Sequence, residues 1–162
     1  MINHTNNMIT KNHTNNMIIL IINGPNLNLL GVRNPEQYGK ESLTDIEKWI
    51  KKNATPKIKK IIFFQSNHEG KIIDIIHELY RKIDGIIINP GALTHYSYSL
   101  RDAIESVQIP TVEIHLSDII NRESFRKTSV IKDICISQVF GKGKMGYLDA
   151  INILCEYKEN QL

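Results

Sequence analysis

From Met17 onward the chain alternates short, almost wholly apolar runs with longer stretches whose apolar residues recur at helical spacing. The short runs predict strands over Ile18–Asn23, Lys60–Gln65, Gly85–Asn89, Thr111–His115 and Asp133–Val139. They are rich in Ile and Val and apolar on both faces, the pattern of parallel strands covered by helices on each side. The longer stretches predict helices over Ser42–Asn53, Gly70–Lys82, Tyr96–Val107 and Gly143–Tyr157, with a short one near Arg122–Lys127. In the first, Ser42 stands at the N-cap and Asp45 three residues on, close to a capping box. In the second, Ile72, Ile73, Ile76, Leu79 and Tyr80 share one stripe. Five strands alternating with helices predict a doubly wound α/β sandwich.

The first sixteen residues break the pattern. "NHTNNMI" occurs at Asn3–Ile9 and again at Asn12–Ile18. One repeat of a polar heptapeptide cannot build a solenoid, which needs several units sharing a buried face. Residues 1–16 are therefore expected to be a disordered tail, with a single domain over 17–162. A length of 162 residues suits one domain with a sizeable core.

A net charge of +3, from 20 basic and 17 acidic residues, is spread along the chain. The densest basic cluster, Lys51–Lys60, reads as a helix end and the turn after it, so nucleic acid is not the expected partner. Cys135 and Cys155 have no CxxC spacing and lie in apolar surroundings, which suggests free thiols in a reducing compartment. No apolar stretch reaches the roughly 18 residues of a membrane helix. The expectation is a cytoplasmic protein.

In doubly wound sheets ligands bind beyond the carboxyl ends of the strands. Here those ends read Asn23-Gly-Pro-Asn26, Gln65-Ser-Asn-His-Glu-Gly70, Asn89-Pro-Gly-Ala-Leu-Thr-His95 and Glu113-Ile-His-Leu-Ser117. Polar residues gather at one edge, without the acidic cluster of a Mg²⁺ phosphoryl-transfer site, a P-loop, a dinucleotide fingerprint or a GxSxG elbow. "GKGKMG", Gly141–Gly146, reads as a tight turn into the last helix. Glu113 and His115, at i and i+2 on a strand, point to the same face. A carboxylate there favours the protonated ring and orients it, which makes His115 a candidate general acid; a structural hydrogen-bonded pair is the equal alternative. His95 suits direct hydrogen bonding to a ligand better than metal binding, for want of a third ligand. His68 and His77 read as surface or helix residues.

The loop Ile22–Gly39, "INGPNLNLLGVRNPEQYG", carries Asn26, Arg33 and Tyr38. Free tyrosine, with a pKa near 10, is a poor base at neutral pH unless cations favour its phenolate. Arg33 on the same loop and Arg126 are candidates for that. On residue types alone, Arg33 reads as a solvated charge and Tyr38 as a packing residue.

The motifs "NGPNLNLLGVRNPEQYG", "FQSNHEG", "INPGALTHYSYSLRDAI", "VEIHLSDIINRESFRKTS" and "GKGKMGY" together resemble the type II 3-dehydroquinate dehydratases, in that family's order and across Met17–Tyr157. The resemblance reverses the reading of the loop. It implies a flavodoxin-like five-stranded parallel sheet and the dehydration of 3-dehydroquinate to 3-dehydroshikimate. It implies Tyr38 as proton acceptor, Arg33 as support for its phenolate and the transition state, and Asn26 as holder of a water beside the enolate. His115, oriented by Glu113, would be the proton donor. Substrate binding would fall to Asn89, His95, Leu116, Ser117 and Arg126, with Asp102 contributing across a subunit contact of a dodecamer built from four trimers. No cofactor, metal or Schiff-base lysine is implied. A non-catalytic flavodoxin-like protein that binds a small ligand is the alternative; a flavin protein or a receiver domain fits less well, since the third strand ends in Asn89 where a receiver needs aspartate.

Overall fold

Five parallel strands, β1 (Met17–Asn23), β2 (Ile58–Gln65), β3 (Gly85–Asn89), β4 (Thr111–His115) and β5 (Ser137–Phe140), form one sheet in the order β2-β1-β3-β4-β5. This is the flavodoxin-like order. The computed structural model describes residues 16–32, 40–117 and 127–161. The expected tail, apart from Asn16, and the expected short helix near Arg122–Lys127, apart from Lys127, lie outside the described residues.

Among the described residues four α-helices cover the sheet: α1 (Leu43–Asn53), α2 (Glu69–Leu79), α3 (Tyr98–Val107) and α4 (Met145–Asn160). Side chains alternate between the faces of a strand, and β1 shows the consequence. Ile19 and Ile21 pack with Ile46 and Ile50 of α1 and Ile151 and Leu154 of α4. Leu20 and Ile22 pack on the other side with Ile72 and Ile76 of α2 and Leu100 and Ile104 of α3. Two cores, one on each side, explain why the strands read as unbroken apolar runs.

Local chemistry sets the helix starts. At α1 the Ser42 hydroxyl accepts from the Asp45 N–H at 3.2 Å and the Asp45 carboxylate accepts from the Ser42 N–H at 3.0 Å, a full capping box. Helix α3 starts later than predicted because Gly91–His95 coils into a 3-10 turn of its own. Ser97 then caps α3, its hydroxyl accepting from Leu100 N–H at 3.0 Å. In α2, Glu69 precedes the predicted start, and the helix ends at Leu79, short of Lys82.

The fifth strand is shorter than its apolar pattern predicts. Pairing with β4 begins only where Ile136 N–H donates to Thr111 O, and Pro110, the residue before β4, has no N–H to extend the ladder. Residues ahead of that point have no strand beside them, and Lys132–Ile134 forms a 3-10 turn instead.

At the carboxyl edge β1 and β3 approach so closely that Gly24 N–H donates to Asn89 O at 2.8 Å. A Cβ on Gly24 would stand 2.6 Å from the Pro90 carbonyl oxygen, which is backbone and cannot swing away. Gly24→Ala is expected to destabilise the fold by about 1–3 kcal/mol. Gly85→Ala, whose Cβ would meet only the mobile end of Leu154 at 2.8 Å, is expected to cost less. Urea denaturation of the two variants side by side checks the order.

Candidate active site

The polar residues at the strand ends converge on the carboxyl edge of the sheet, from both of its faces. Odd-numbered positions of β4 carry Thr111, Glu113 and His115, all buried, beside the α2–α3 core. Asn23 and Asn89, the last residues of β1 and β3, are register partners on the opposite face.

Glu113 is 0% exposed and His115 7% exposed. His115 Nε2 lies 2.6 Å from Glu113 Oε1. The same carboxylate accepts from Thr94 Oγ1 at 2.5 Å, Ser129 Oγ at 2.8 Å and Gln138 Nε2 at 2.9 Å. Burial alone would raise the Glu113 pKa, but the hydrogen bond and charge of His115, with the Thr94 and Ser129 hydroxyls, outweigh it and hold the carboxyl below its ordinary value. An ionised carboxylate accepts only, so the proton on His115 Nε2 points at Glu113.

A strap from 128 to 130 closes over this pair. Thr128 O sits 2.7 Å from His95 Nδ1, Val130 N–H donates to Thr94 O at 2.7 Å, and Arg101 Nη1 donates to Val130 O at 2.5 Å. His95, at the end of the 3-10 turn, is thereby fixed against the strap. Below β4, Gly141 N–H donates to His115 O at 3.2 Å and Gly143 N–H to Leu116 O at 2.9 Å. The turn read from "GKGKMG" therefore holds the His115–Leu116 backbone, and its Gly143 has the left-handed φ of 53°.

On the other face Tyr147, in the first turn of α4, is fully buried and donates its hydroxyl to Asn23 Oδ1 at 2.5 Å. Burial pushes its pKa up, against a hydrogen bond from Asn89, so the phenol stays neutral. Asn26 follows β1 in the left-handed conformation, φ 69°, which Asn tolerates better than most residues. Its N–H donates to Asn67 Oδ1 at 2.9 Å, from the loop after β2. Asp102 lies apart, exposed on α3. Arg33, Tyr38 and Arg126 fall outside the described residues. His68 and His77 are exposed. Among the described residues no three His, Cys, Asp or Glu side chains gather closely enough to hold a metal ion.

Comparison with known proteins places the chain in a family. Residues 17–155 match the family model described as dehydroquinase class II. This chain belongs to the class II dehydroquinase family. It is 52% identical over 136 residues to a 3-dehydroquinate dehydratase of Halothermothrix orenii, covering 84% of this chain and 92% of that one. The 3-dehydroquinate dehydratase of Bacillus subtilis is 50% identical over 135 residues, 83% of this chain and 91% of that one. A type II dehydroquinase structure from Butyrivibrio crossotus superposes with a TM-score of 0.82 at 48% identity, covering 86% of this chain and 97% of the other. As a class II dehydroquinase the chain is an enzyme, a hydro-lyase.

Reading the sequence did not single out Thr94, Ser129, Gln138, Asn23 or Tyr147 of this dehydroquinase. Gln138 carried a signal, as a polar residue in the apolar run "ISQVF"; the others needed the tertiary contacts.

The lowered pKa of Glu113 makes its contribution to stability pH-dependent. A carboxyl held below its unfolded pKa contributes stability that is complete above the ordinary glutamate range and lost as pH falls through the folded value. Glu113→Gln is therefore expected to be less stable than wild type at pH 7, with the gap narrowing as pH drops below about 4. Urea denaturation from pH 7 down to pH 3 checks this.

Proposed function

We propose that this chain dehydrates 3-dehydroquinate to 3-dehydroshikimate through an enolate, with Tyr38 as base and His115 as acid. The overall reaction, loss of water from 3-dehydroquinate in the shikimate route to aromatic amino acids, follows from family membership. The Tyr38 phenolate, favoured by the Arg33 guanidinium, takes a proton from C2, next to the ketone. The electron pair left behind forms the enolate, and a water held by Asn26 donates to its oxygen. Collapse of the enolate expels the C1 hydroxyl, to which His115 gives a proton, so that water leaves. Asn89, His95, the Leu116–Ser117 backbone, the Ser117 hydroxyl and Arg126 hold the substrate, and Asp102 reaches the site of a neighbouring subunit in a dodecamer of four trimers. No cofactor, metal or Schiff-base lysine enters the route.

The observation that carries this reading is the buried Glu113–His115 pair at the carboxyl edge of the sheet, 2.6 Å apart. An ionised carboxylate that accepts from Nε2 fixes the imidazole in rotation, as a group that must deliver a proton to one atom requires. Exposed Tyr96 and Tyr98, at the start of the helix that carries Asp102, support a subunit contact there. The free thiols Cys135 and Cys155 support a cytoplasmic setting.

The ultraviolet rise of the conjugated product, followed with chelator present, tests the reaction. Wild type is expected to give a fast rise. Tyr38→Phe is expected to lower kcat by about 10²–10⁴. A flat trace from folded wild-type protein would sink the dehydratase reading and favour a small-ligand binding protein, while wild-type turnover in Tyr38→Phe would remove Tyr38 as the base.

A further inference from the structure

A carboxylate without solvent must find its hydrogen bonds inside the protein. Ionised, it offers about four acceptor positions, two on each oxygen. At Glu113 donors meet both oxygens: Thr94 Oγ1 at 2.5 Å and His115 Nε2 at 2.6 Å on Oε1, and on Oε2 Gln138 Nε2 at 2.9 Å and Ser129 Oγ at 2.8 Å, the latter also 3.1 Å from Oε1. Ser129 Oγ itself accepts the Lys132 N–H at 3.0 Å, which turns its own proton toward the carboxylate. Gln138 is put in place by the sheet. It is the register partner of Glu113 on the neighbouring strand β5, so both side chains leave the same face side by side.

We propose that Gln138 and Ser129 are positioning residues for the acid step. By saturating Oε2 they hold Glu113 ionised and fixed in rotation, so that Oε1 accepts from His115 Nε2 and Nδ1 becomes the ring atom that gives a proton to the leaving hydroxyl. The inference rests on the reading of His115 as the general acid. Its chemistry is that of a cage of donors: a protonated Glu113 would aim its own O–H at another donor. The imidazolium starts with protons on both nitrogens. It loses the one on Nδ1 to the departing oxygen and ends as the neutral Nε2–H tautomer, still bonded to Glu113.

Among the described residues, the titratable and charged groups that act on this cluster are His115, beside the carboxylate, Cys135, which feels the Glu113 charge, and Arg101, which acts on Cys135. Burial, and then the Glu113 charge, pushes the Cys135 thiol up to about 12, so it stays neutral. Arg101 is engaged with Val130 O.

Gln138→Met keeps the side-chain length and deletes one donor; Ser129→Ala deletes the other, and Ser129→Thr restores a hydroxyl. The first readout needs no substrate: an infrared titration of the Glu113 carboxyl band, with Glu113→Gln as the blank. Each donor deletion is expected to shift the Glu113 protonation equilibrium about tenfold toward the acid. Ser129→Thr is expected to return it to the wild-type position. An unmoved band in both deletions overturns the cage.

The second readout is a double-mutant cycle on kcat. Gln138→Met is expected to lower kcat about five- to tenfold in wild type and to have no effect after Glu113→Gln. An equal loss in both backgrounds means that Gln138 acts through the sheet, and overturns the proposal. The two failures separate cleanly. Wild type without turnover but with the expected band shift overturns the reading of the reaction and leaves the cage standing; active wild type with an unmoved band does the reverse.

Discussion

The constraint on which the rest of this site depends is the burial of one negative charge. Glu113 lies in the second-last strand of the sheet with no access to water, where an unpaired carboxylate would cost several kcal/mol. It is tolerated because separate parts of the chain bring donors to it: the 3-10 turn after β3 through Thr94, the strap through Ser129, β5 through Gln138 and β4 itself through His115. Each of those donors ties its own segment down. The strap that supplies Ser129 also carries Thr128, which holds His95, and Val130, which is bonded to Thr94 and Arg101. Satisfying the charge and ordering this side of the carboxyl edge are thus one event.

The opposite face solves a different problem with a neutral group. Here the register of β1 and β3 brings Asn23 and Asn89 together at the point where the strand order reverses, the place where such sheets open to a ligand. Two amides ending adjacent strands would compete for partners. The Tyr147 phenol, carried in by the first turn of α4, donates to one and accepts from the other. Because burial raises the phenol's pKa, this clamp stays neutral near pH 7. The carboxyl edge therefore combines a charged half on the β4 side with an uncharged half on the opposite face. The last helix and the turn before it serve both, since Gly141 and Gly143 hold the backbone of His115 and Leu116.

Strand existence was legible because burial on both faces leaves no room for polar residues within β1 and β3, and the apolar runs end where water or ligand begins. For β3 and β4 the predicted bounds and the observed ones coincide. The fifth strand did not follow its pattern because an apolar run becomes a strand only where a neighbour offers free N–H and C=O groups, and β4 begins too late to serve Asp133. The Ser42–Asp45 box was readable because its partners are three residues apart. The helix start at Tyr98 was hidden by the 3-10 turn ahead of it, a local choice among helical forms that residue types do not dictate.

The site divides along the same line. The residues Glu113 and His115 were visible from sequence since a two-residue spacing on a strand puts both on one face, whatever the fold. The motifs across Met17–Tyr157 were enough to point to the class II dehydroquinases. Thr94, Ser129 and Gln138 stand 19, 16 and 25 residues from Glu113, and Tyr147 stands 124 from Asn23. Nothing local links such pairs. The sequence by itself determined the sheet, its polar edge and the pairing of Glu113 with His115 on one face, because these follow from periodicities of two and 3.6 residues. Only the tertiary structure decided which donors surround Glu113 and which phenol joins the two asparagines, because strand register and helix packing bring together groups that the chain keeps far apart.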